Sequence, residues 1–163
     1  MIFPERPSRR RETIRPQHDL RGAATLDPVL HCVLTIARLQ FQSFATPESE
    51  SWTCALPHAD RLFGREVAPG LVCGVQRAVQ EMRLARKSVF EFSNPGCRRC
   101  AARISGHERL FLNTLRAMMC GRPQDAEAHA MLLCEGNDTS AFLAEVSSLA
   151  MGLRSLRPAV FDQ

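Results

Sequence analysis

Two cysteines three positions apart, Cys97-Arg98-Arg99-Cys100, follow directly on an Asn94-Pro95-Gly96 turn. A C-x-x-C on such a turn brings two thiolates to one side, which is how half of a tetrahedral zinc site is commonly built. The other half must come from elsewhere in the chain. Cys134 and His107 are the expected partners. The resulting set of Cys97, Cys100, His107 and Cys134 is a closed Cys3His shell, and a shell with no open position points to a structural zinc rather than a catalytic one. His129 is the reserve for the fourth position. The same pair of cysteines supports a second chemistry. Close to Arg98, Arg99 and Arg103 a thiolate is favoured, so the alternative is a thiol-dependent redox enzyme with Cys97 as the attacking group. Against it, redox proteins with this motif rest on a βαβ framework, and the sequence offers almost no strands.

The choice of Cys134 follows from the helices that must position it. Ser105-Gly106-His107-Glu108 matches the S-x-x-E capping box and opens a helix to about Met119. That helix is roughly 21 Å long at 1.5 Å per residue, which leaves Cys120 at the far end. Pro123 opens a second helix after a very short connection, so an antiparallel return is expected. Gly136 closes it just past Cys134, bringing Cys134 back toward the start. Ala126, Ala130 and Cys134 recur at steps of four and share a face. A third helix, capped at Asn137 or Asp138, carries the apolar stripe Phe142, Leu143, Val146, Leu149, Ala150 and Leu153. The first two of these helices have helix-turn-helix proportions. The second opens Gln124-Asp125-Ala126-Glu127, however, and paired acids suit a phosphate-lined groove badly.

Upstream, Asp27-Pro28 reads as an N-cap with proline at the first helical position. Leu30, Val33, Leu34, Ala37, Phe41 and Phe44 then follow at helical spacing, widened by Val29, Cys32, Ile36 and Leu39. This helix is expected to be central to the core and to end near Thr46-Pro47. A shorter helical piece runs through Trp52 and Phe63 to Gly64, and His58 and Asp60 beside Pro57 read as surface. Leu71, Val72, Val75, Ala78, Val79 and Met82 form the face of the next helix. Val89-Phe90-Glu91-Phe92 alternates, but a lone strand cannot make a sheet, so it reads as an extended connector. Cys32 is expected in the core and Cys73 on the polar side of its helix.

With 163 residues, 45% hydrophobic and 23% charged, the chain has the mix of one ordinary globular domain. The predicted fold class is all-α: a single-domain, irregular bundle of about five helices with a C-terminal three-helix unit. Residues 1–24 read as a basic, disordered arm, 25–157 as the helical domain with 94–157 as its zinc-binding subregion, and 158–163 as a tail. No apolar run approaches the roughly 18 residues of a membrane span. The N-terminus lacks the apolar segment of a secretory signal. Seven cysteines without a secretory signal point to a reducing, cytoplasmic setting, where thiols stay free or bind metal. Nucleotide-binding and hydrolase signatures are missing, and His107-Glu108 is not followed by the second histidine of H-E-x-x-H, because position 111 is Phe. No small-molecule substrate is indicated.

The net charge of +4 is unevenly spread. Residues 1–21 hold six arginines against three acids, and residues 77–103 hold seven basic residues against two acids. Concentrated positive charge attracts phosphates or an acidic protein surface. The expected function is a small, non-enzymatic regulatory or adaptor protein. Zinc would shape a basic surface, with Arg9, Arg10, Arg11, Arg98, Arg99 and Arg103 meeting an acidic protein or nucleic acid.

Overall fold

A computed structural model describes the backbone of residues 22–161 and the side chains of residues 22–156. Among the described residues there are seven α-helices and no strand. The all-α reading holds, with more helices than the five or so expected. They are α1 (Pro28–Ala45), α2 (Ala55–Phe63), α3 (Ala68–Ala85), α4 (Arg98–Ala101), α5 (Gly106–Met119), α6 (Pro123–Leu133) and α7 (Ser140–Phe161). One addition is the single turn α4, too short for hydrophobic periodicity to reveal. α7 also continues through Phe161, past the Pro158 where a tail was expected. Arg9, Arg10 and Arg11 lie outside the described residues.

Local signals account for most boundaries. The Asp27 carboxylate accepts the Val29 N–H at 2.8 Å, and Pro28 stands in the first turn where its missing N–H costs nothing. Ser105 and Glu108 form a complete capping box at the start of α5. α5, α6 and α7 make the expected three-helix unit, with α6 returning along α5. α3 lies against α7, α1 against α3, and α2 closes one side over both. The α3–α7 contact is close at Gly74, where a Cβ would stand only 3.2 Å from the Leu149 side chain. Leu34, Ile36, Met82, Leu112, Leu115, Leu133 and Leu153 are fully buried between these layers, and the Phe111 and Phe142 rings meet at 6.0 Å.

The body begins earlier than the arm boundary at residue 24 suggests. Ala23 is buried, and its N–H donates to the Ala102 carbonyl at 3.0 Å. Gly22 is needed beside it, since a Cβ there would come within 2.6 Å of the Ala102 oxygen. The chain therefore enters the domain against the loop that carries the C-x-x-C.

That loop, residues 86–105, contains little regular structure and would be free to move if apolar contact alone held it. A buried ion pair fixes it instead. Arg38 on α1 and Glu108 on α5 are 3% and 1% exposed and meet through Nε–Oε1 at 2.7 Å and Nη2–Oε2 at 3.0 Å. Arg38 also donates to the Ala101 carbonyl at 2.8 Å and to the Arg103 carbonyl. Glu108 accepts the Ser93 N–H at 2.9 Å and the Ser105 N–H at 2.7 Å. Both ends of the segment 93–105 are thus tied to one pair of charges. Phe90 adds an apolar anchor, stacking on Phe41 of α1 with ring centroids 4.1 Å apart.

Removing one member of a buried pair strands the other charge without water, at a cost of about 3–5 kcal/mol. Arg38→Leu is expected to lose stability of that order in urea denaturation. Arg38→Lys should recover little of it, because a single ammonium cannot reproduce the planar fork that reaches two carboxylate oxygens and two carbonyls. A loss below about 1 kcal/mol for Arg38→Leu would show that the pair does not hold the loop.

Candidate functional site

Cys97 is the N-cap of α4 and Cys100 lies within that turn. The Cys97 backbone is extended, at φ −105° and ψ 109°, which folds its side chain back over the turn so that Sγ accepts the Cys100 N–H at 3.4 Å. Both thiols belong to an open face: Cys97 is half-buried and Cys100 exposed. Hydrogen bonding from the Cys100 thiol, and then from its backbone N–H, holds the Cys97 thiol below its ordinary pKa. Cys100, as the donor in that pair, is pushed the other way. The structure therefore brings these two together and makes them unequal.

His107 and Cys134 are engaged elsewhere. The imidazole Nδ1 of His107 accepts the Glu91 N–H at 2.9 Å, and its ring packs 5.5 Å from Phe90. Its Nε2 lies 3.5 Å from the Arg86 guanidinium. His107 and Glu108 are adjacent on α5 and so point roughly 100° apart around the helix. Glu108 serves the loop that carries the cysteines, while His107 serves the segment before it. Cys134 does return toward the start of α5 as expected, but at the C-cap of α6 it is fully buried, and desolvation pushes its thiol pKa up. Arg86 occupies the intervening space, donating to the Leu133 carbonyl. Among the described residues no group of three or more His, Cys, Asp or Glu side chains stands where it could hold a metal ion. The reserve residue His129 is part of no such group either. The expected four-ligand set is thus not assembled around Cys97 and Cys100.

Part of the basic band is also used internally. Arg77 pairs with Glu145 at 2.7 Å, and the Arg83 guanidinium lies 3.6 Å over the Phe44 ring. Arg86 is buried and pairs with Glu135 at 3.2 Å. Glu135 sits at φ 60°, a conformation costly for a residue with a Cβ. Its carboxylate offsets that cost by accepting the Lys87 and Ser88 N–H groups at 2.9 and 3.2 Å and the Ser88 hydroxyl. These bonds push its pKa down to about 2. What stays open is the turn itself. Arg98, Arg99 and Arg103 are exposed, and among the described residues none of the three has a carboxylate partner within ion-pair distance.

Two other features depart from the sequence reading. Arg38 interrupts the apolar face of α1, and an arginine in a stripe of that quality was the available sign of a buried ion pair. His58 and Asp60 are not simple surface residues: His58 Nε2 and Asp60 Oδ1 are buried and have no hydrogen-bond partner among the described residues. Burial is also the main cause that lowers the His58 pKa. A cleft of about 490 Å³ lies over this region, bordered by Cys54, His58, Arg61 and the Asn94–Gly96 turn. Cys32 is buried and Cys73 exposed, as expected. No family model, no curated protein and no solved structure matches this chain.

Two acid-side effects follow from this geometry. Burial and the nearby Arg86 charge hold the His107 imidazole below its ordinary value of 6.5. The unfolded chain takes up that proton first, so the His107 contribution is complete above 6.5 and fades as the pH falls below it. His107→Gln should therefore flatten the decline in melting temperature between about pH 7 and 5. Glu135 acts lower on the scale, where its contribution is complete above 4.5 and lost as the pH falls toward about 2. Glu135→Gln should flatten that lower limb alone. Unchanged pH profiles in either variant would contradict the assigned contacts.

Proposed function

We propose that this chain is a non-enzymatic regulatory or adaptor module that engages an acidic partner through Arg98, Arg99 and Arg103, together with the arginines of its N-terminal segment. The observation that carries this reading is the bond from the Ala23 N–H to the Ala102 carbonyl. It seats the start of the body on the basic turn, so the segment containing Arg9, Arg10 and Arg11 is joined to the chain beside Arg98 and Arg99. The underlying loop is held by Arg38 and Glu108, so the three guanidinium groups project from a fixed backbone. Preorganised charge loses less freedom on binding than charge on a mobile loop. Zinc enters this reading only through the half-shell of Cys97 and Cys100, because His107 and Cys134 are committed to other contacts.

Acidic protein and nucleic acid share the chemistry that recognises this surface, and salt alone separates them poorly. Fluorescence anisotropy with a poly-glutamate peptide and with a random-sequence single-stranded RNA, both under reducing conditions, tells them apart directly. Binding to at least one is expected at low salt, weakening as salt rises. Arg98→Glu combined with Arg99→Glu should weaken it roughly tenfold or more with little change in melting temperature, since both side chains are exposed. The reading fails if neither polyanion binds, or if the doubly reversed variant binds as well as the wild type.

A further inference from the structure

The seven cysteines are not equivalent, and their differences single out one pair. Cys32 and Cys134 are buried with pKa values pushed up by desolvation, that of Cys32 to about 11, so they remain protonated and shielded. Cys54, Cys73 and Cys120 are exposed, but none of them has a second cysteine within three positions in the sequence. Cys97 and Cys100 alone sit on the same turn, with one sulfur 3.4 Å from the backbone nitrogen of the other residue. The flanks of the turn are tied down at Ser93, Ala101 and Arg103 by the buried ion pair. The two residues between the cysteines are exposed arginines, and Arg103 follows closely.

We infer that Cys97 and Cys100 form a thiol–disulfide exchange site that is oxidised stoichiometrically by an anionic low-molecular-weight disulfide. Positive charge at the turn concentrates an anionic disulfide around the sulfurs, and the Cys100 N–H aimed at the Cys97 sulfur favours its thiolate over the thiol. Cys97 loses its proton and its thiolate attacks one sulfur of the small disulfide. A mixed disulfide forms on Cys97, and the first small thiolate departs and takes up that proton. Cys100, giving up its own proton, then attacks the Cys97 sulfur. The intramolecular disulfide forms, and the second small thiolate leaves and is protonated. In total the protein dithiol is oxidised by two electrons and one small disulfide is reduced to two thiols. The extended Cys97 N-cap already folds its sulfur over the turn to 3.4 Å from the Cys100 nitrogen, and a disulfide needs the two Cβ atoms about 3.5–4.5 Å apart. Closing the ring therefore requires only a local adjustment. This site uses the cations of the proposed partner surface but does not depend on a macromolecular partner.

The test uses the reduced full-length chain, with glutathione disulfide as the anionic probe and cystamine as a cationic one. Peptide mapping after alkylation should show Cys97 and Cys100 lost to labelling together, in a product lighter by two hydrogen atoms and carrying no adduct. At low salt glutathione disulfide should react more than about tenfold faster than cystamine relative to their rates with free cysteine, and the ratio should shrink as salt screens the turn. Cys100→Ser should trap the mixed disulfide on Cys97, and Cys97→Ser should abolish the fast reaction; melting curves check that both variants fold. A first adduct on Cys54, Cys73 or Cys120, or a stable adduct on wild-type Cys97 that never resolves, would overturn the exchange site. Equal relative rates for the two probes would overturn its anionic selectivity. These readouts involve no polyanion, so they stand or fall separately from the partner-binding experiment.

Discussion

A single buried ion pair decides the shape of the face that carries Cys97 and Cys100. Arg38 and Glu108 sit where the core would otherwise be apolar, and their mutual contact alone gives little net stability over a hydrophobic filling. Their value lies in the groups they satisfy besides each other. Through them, the carbonyls of Ala101 and Arg103 and the N–H groups of Ser93 and Ser105, all part-buried, find partners. Sheltered backbone groups need partners, and the loop pairs only some of its own, as in the bonds from Ala101 N–H to the Cys97 carbonyl and from Arg103 N–H to the Cys100 carbonyl. The ion pair serves others from two helices at once. It therefore converts an irregular stretch into a fixed platform for the two thiols and their neighbouring arginines.

The distribution of positive charge takes on a different meaning once the structure is known. Counting along the chain, residues 77–103 form one basic band. In space it divides into a structural half and an open half. Arg77, Arg83 and Arg86 are spent on Glu145, the Phe44 ring and the end of α6. Arg98, Arg99 and Arg103 remain exposed around the cysteines. The first group holds helices together, and the second creates a local field. Net charge alone cannot distinguish them, because the sign is the same and only the neighbours differ.

Helical phase also explains why the expected ligands separate. His107 and Glu108 are consecutive, and one residue of α-helix rotates a side chain by about a quarter of a turn. That rotation sends Glu108 under the cysteine loop and His107 toward the segment 86–91. Arg86, bonded to the Leu133 carbonyl, then stands between His107 and the end of α6, where Cys134 is buried. The antiparallel return of α6 was anticipated correctly at the scale of helices. At the scale of side chains it delivered Cys134 into the core.

The sequence by itself determined the all-α class, the capping of α1 and α5, the central role of α1, the three-helix unit and the pairing of Cys97 with Cys100. These are local properties, set by spacing, proline and capping chemistry within a few residues. Tertiary structure alone decided that Arg38 meets Glu108, that Gly22 and Ala23 seat the chain on Ala102, and which cations stay free. Each of these depends on which surfaces face one another after the helices pack. The continuation of α7 past Pro158 was likewise not legible from the sequence, where proline reads as a helix breaker. Periodicity identifies a buried face, but it does not name the face on the other side.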